Sequence, residues 1–81
     1  MKKEERKELV EVAQMAYDLG KESDDNVFVF DDDVLSQEQL LLADSLVDKG
    51  IIKYENPMVY SITAYTKSFI DNGGYTEEEL K

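Results

Sequence analysis

Between Lys3 and Leu19, apolar residues fall at spacings of three and four, at Leu9, Val12, Ala13, Ala16 and Leu19, while Glu8, Glu11, Gln14 and Asp18 lie mostly elsewhere. That period predicts an amphipathic helix with one buried stripe. Gly20 is its expected stop, because glycine readily adopts the left-handed conformation that closes a helix. A polar run, Lys21 to Asn26, then leads into Val27-Phe28-Val29-Phe30. This stretch is β-branched and aromatic and apolar on both alternating faces, which predicts a short, largely covered strand.

The next start signal is local. In Leu35-Ser36-Gln37-Glu38-Gln39-Leu40, the Ser36 hydroxyl can accept from the Gln39 N–H while the Gln39 side chain reaches back to the Ser36 N–H, with Leu35 placed to staple onto Leu40. The predicted helix runs through Leu41, Leu42, Ala43, Leu46 and Val47 to Lys49 and closes at Gly50. Ile51 to Glu55 and Met58 to Ile62 flank Asn56-Pro57, where proline blocks ladder pairing and favours a turn, so a hairpin is expected. By the two-residue period, Met58, Tyr60 and Ile62 share the face that should lie on the helices. Thr63 should cap a closing helix through Phe69 and Ile70, ended by Asn72-Gly73-Gly74. Thr76 to Glu79 repeats the capping pattern in a tail too short to hold a helix alone. Leu46, Ile51, Tyr60, Ile62 and Phe69 are the expected core. The whole, residues 1–81, reads as one α+β domain with its core over about 3–72 and a short acidic tail at 73–81.

Helix, strand, leucine-rich helix, Gly turn, hairpin, helix resembles a winged-helix domain. Two segments carry the resemblance: Leu46-Val47-Asp48-Lys49-Gly50-Ile51-Ile52, similar to a recognition helix entering the wing, and Tyr60-Ser61-Ile62-Thr63-Ala64-Tyr65-Thr66-Lys67, similar to the second wing strand entering a closing helix. Two departures stand out. Asp31 to Leu35 leave room for one turn at most of the helix that precedes a recognition helix, and Thr66 stands where the family often has glycine. The resemblance implies that the Ser36 to Lys49 helix occupies the groove-reading place, with Gln37, Gln39, Lys49 and Lys53 as the DNA-contacting candidates of a transcriptional regulator.

Charge changes that picture. Nineteen acids against nine bases give a formal charge of -10, and from Asp18 to Asp48 only Lys21 is basic. Groove readers need cations on phosphates, so nucleic acid becomes the alternative partner, aided at best by Lys2, Lys3, Arg6 and Lys7. The leading expectation is a regulatory or inhibitory protein-interaction module that presents an acidic surface, in the manner of a DNA mimic, to a basic protein surface. Its docking residues would be Asp24, Asp25, Asp31, Asp32, Asp33, Glu38, Asp44 and Asp48, with Leu41 as apolar anchor. The blander account is a solvated surface that guards the strand edge near Val27 to Phe30. The leucine-rich helix can bury two sides within the domain or offer one to a second copy, so a homodimer is compatible with it.

Other chemistry finds little footing. Cys and His are absent, which removes disulfides, cysteine zinc sites and the commonest catalytic base. Neither Asp24-Asp25-Asn26 nor Asp31-Asp32-Asp33 is followed by the glycine and glutamate of an EF-hand loop. Gly73-Gly74 lacks phosphate-loop spacing. No nucleophile, base and oxyanion group assemble, so the expectation is neither an enzyme nor a cofactor protein. The mixed-sign N-terminus is no signal peptide, no stretch reaches a membrane span, and the lack of Cys is compatible with the cytoplasm.

Overall fold

A computed structural model describes residues 3–31, 33–76 and 79. The elements are α1 (Lys3–Glu22), β1 (Val27–Val29), α2 (Gln37–Asp48), β2 (Ile52–Asn56), β3 (Val59–Ile62) and α3 (Ala64–Asp71). The strands form one antiparallel sheet of order β1-β3-β2. Three helices and this sheet make a small α+β domain.

α1 passes through Gly20 instead of stopping there. A Cβ at Gly20 would meet the Ile62 side chain at 2.8 to 3.1 Å, so glycine here serves close helix-to-sheet approach. Leu9, Val12, Ala13 and Ala16 are buried as their spacing predicts. The caps expected at Ser36 and Thr63 both form. Ser36 Oγ accepts from Gln39 N at 3.2 Å and Gln39 Oε1 from Ser36 N at 3.0 Å; Thr63 caps α3 with Thr66 as its reciprocal partner. Gly50, at φ +75°, closes α2 through Gly50 N–H to Val47 O and Ile51 N–H to Leu46 O. In place of a helix ahead of α2 stands a single turn, in which Asp31 O accepts from the N–H groups of Val34 and Leu35.

The strands depart from expectation in two places. β1 is covered on one face only: Phe28 and Phe30 point into the core while Val29 is 48% exposed. β1 is three residues long and lies at the sheet edge. Met58 is no strand residue. It sits in the hairpin turn at φ +65° and is half exposed, because Pro57 fixes the first turn position and leaves the second to the left-handed conformation. A register shift between Tyr54 and Asn56 makes a bulge at Glu55. The core comprises the expected Leu46, Ile51, Tyr60 and Phe69 with Ile62 packed against it, and also Phe28, Phe30, Leu35, Ala43 and Ile52. Phe28, Phe30, Tyr54 and Tyr60 form an aromatic cluster with centroids 4.8 to 6.1 Å apart.

Candidate interaction surface

α2 buries Ala43 and Leu46 and half-buries Leu40, Leu42 and Val47, which fixes its outward direction. At about 100° per residue, the opposite arc is centred on Leu41 and holds Gln37, Glu38, Asp44, Ser45 and Asp48 within about 60° on either side. Leu41 is 68% exposed. The helix therefore places an apolar side chain among Glu38, Asp44 and Asp48, with no cation in the arc. The Asp44 charge reaches inward as well: Tyr60 is held above the ordinary phenol range, by burial first and then by Asp44 and Tyr54.

The acidic turns serve the fold as well as the surface. In the turn before β1, Asp25 Oδ1 accepts from Ser23 Oγ at 2.6 Å and Val27 N at 3.2 Å. Those bonds, the Ser23 hydroxyl first, hold the exposed Asp25 carboxyl below its usual range. Asp31 Oδ1 accepts from the N–H groups of Asp33 and Val34. Asp24 and Asp33 are exposed, and Asp32 lies outside the described residues. Among the described residues, no three acidic side chains converge to hold a metal ion, and no helix is long and apolar enough to cross a membrane.

Two of the four DNA-contacting candidates, Gln39 and Lys53, have side-chain partners within the fold. Gln39 is occupied by the capping box, Lys53 Nζ lies 3.6 Å from Glu55, and Lys49 is the C-cap of α2. Gln37 is exposed. Of the N-terminal bases, Lys2 lies outside the described residues, and Arg6 ties down the C-terminal segment. It donates to Gly74 O, lies 3.2 Å from Glu79 Oε2 and stacks 3.8 Å above the Tyr75 ring.

That tie creates a feature the sequence reading missed, an open groove of about 820 Å³ between the end of α2, α3 and the C-terminal segment, lined in part by Asp48, Ile51, Tyr65, Phe69, Tyr75 and Glu79. Its one legible signal was the Thr76 to Glu79 capping box, which forms. No family model matches the chain, and comparisons with curated proteins and with solved structures return no significant match.

Proposed function

We propose that this chain is a small, non-enzymatic cytoplasmic interaction module of winged-helix type that docks on a basic protein surface, with a regulatory or inhibitory outcome. The observation that carries the reading is the outward arc of α2, where an exposed Leu41 stands among Glu38, Asp44 and Asp48. An apolar anchor ringed by charges of one sign suits a partner with a complementary basic rim: the charges accelerate encounter and the anchor holds the complex. The order of elements and the capped helices on either side of the hairpin support the winged-helix assignment. The alternative, a DNA-binding regulator, draws less support, since Gln39, Lys53 and Arg6 are engaged within the fold.

Comparative capture tests this. The full chain, Leu41→Glu and the pair Asp44→Asn with Asp48→Asn are immobilised in parallel and exposed to lysate of the native organism. The expected partner has a basic face, is lost with Leu41→Glu, and associates more slowly with the double variant. Equal retention on all three, or binding of the parent to mixed-sequence duplex DNA at about 0.15 M salt, where nonspecific attraction requires clustered cations, would overturn the reading.

A further inference from the structure

β1 is an edge strand, and among the described residues no strand pairs with its outer side. Its register with β3 opposes Val27 to Ser61, Phe28 to Tyr60 and Val29 to Val59. The flanking bonds, Ile62 N–H to Asn26 O at 3.1 Å and Phe30 N–H to Met58 O at 2.9 Å, lie two residues either side of the Phe28 and Tyr60 pair. Hydrogen-bonded pairs alternate along an antiparallel ladder. Phe28 therefore bonds to β3, and the polar groups of Val27 and Val29 point away from it. The Val27 N–H is taken by Asp25, which leaves the Val27 carbonyl and both groups of Val29 facing outward. The Val29 side chain stands on the uncovered sheet face, with Val27 and Val59 half-buried beside it.

Charge decides what can pair there. Asp24 and Asp25 precede the strand, and Asp31 and Asp33 follow it. A second copy laid antiparallel along this edge would bring acids against acids at both ends, whereas an extended segment with Lys or Arg at its ends and β-branched residues between would meet opposite charge at both.

We propose that β1 accepts such a basic, extended segment of a partner protein as a fourth strand, held by the Val27 and Val29 backbone groups and steered by the flanking aspartates. This surface is distinct from the outward arc of α2. Main-chain bonds give strand addition its affinity, and side chains and flanks give its specificity.

The probe is a synthetic peptide of alternating Val and Thr with two Lys at each end, added to the isotope-labelled full chain. Hydrogen exchange at the Val29 amide should slow about tenfold when about nine-tenths of the protein is bound. Val29→Pro removes the outward N–H at a position where edge strands tolerate proline, and should weaken binding at least about tenfold. If that variant does not fold, the same loss is expected with a peptide N-methylated at the amides facing β1. Leu41→Glu should leave peptide affinity unchanged, which separates failure here from failure of the α2 docking surface. Unchanged Val29 exchange at millimolar peptide, or equal binding of a peptide with Glu in place of Lys, overturns the proposal. So does Val29 exchange that slows with protein concentration alone, since the occupant would then be a second copy.

Discussion

At the scale of single residues, the departures from sequence expectation have long-range causes. Thr66 is fully buried; its Oγ1 donates to Ile51 O at 2.6 Å and accepts from Thr63 N at 2.9 Å. The hydroxyl pins the start of α3 to the residue that enters the hairpin. Thr66→Val keeps the shape but leaves the Thr63 N–H without its acceptor, and should cost about 1 to 3 kcal/mol in urea unfolding. A neutral result would mean that water replaces the hydroxyl. Met58 tells the opposite story, because its left-handed conformation costs a side chain about 1 to 2 kcal/mol and its exposed side chain recovers little. Met58→Asn, which tolerates that conformation, should raise stability by about 0.5 to 1 kcal/mol with the slope against urea unchanged. The alternating pattern misplaced Met58 because period two cannot see where a turn begins.

Elements were legible wherever a local rule decides. The Ser36 box, the Thr63 cap and the glycine closure of α2 each involve residues within one turn, and all three form as read. Ser36→Ala should accordingly cost about 0.5 to 2 kcal/mol, and Phe69→Ala, which empties a fully buried site on α3, about 3 to 5 kcal/mol. What escaped the sequence involves distant partners: Gly20 lies within α1 where the Ile62 side chain leaves no room for a Cβ, and the C-terminal segment is fixed by Arg6 from the other end of the chain. The same tie sets a pH dependence. The Glu79 carboxyl is held below its ordinary value, by the Thr76 N–H first and then by Arg6. Its contribution is therefore complete above the ordinary glutamate range and lost as pH falls through the lowered value. Tyr75 ring resonances, which report the Arg6 stacking, should stay constant down to the ordinary glutamate range and shift only below it. A transition centred at the ordinary value would show that the tie holds no carboxylate in solution.

For the whole molecule, the decisive quantity is charge density. A net charge of -10 is packed within 31 × 25 × 18 Å, at a radius of gyration of 11.6 Å, against about 28 Å expected for an unfolded chain of this length. Repulsion is therefore stronger in the folded state. Opposing it among the described residues are the Arg6 to Glu79 and Lys53 to Glu55 contacts at 3.2 and 3.6 Å, surface pairs worth about 0 to 1 kcal/mol each. At about 0.01 M salt the screening length, about 30 Å, spans the domain; at about 0.15 M it falls to about 8 Å. Repulsion should dominate this balance, so the melting temperature of the free chain should rise as sodium chloride increases across that range. Attraction to a basic partner is screened by the same ions, so affinity for the proposed basic partner or Lys-flanked peptide should fall over the same interval. Two slopes of opposite sign on one protein would identify the acidic surface as the common cause. A melting temperature that falls with salt would assign the stability to the ion pairs, and an affinity indifferent to salt would leave the acids as a solvated surface that takes no part in docking.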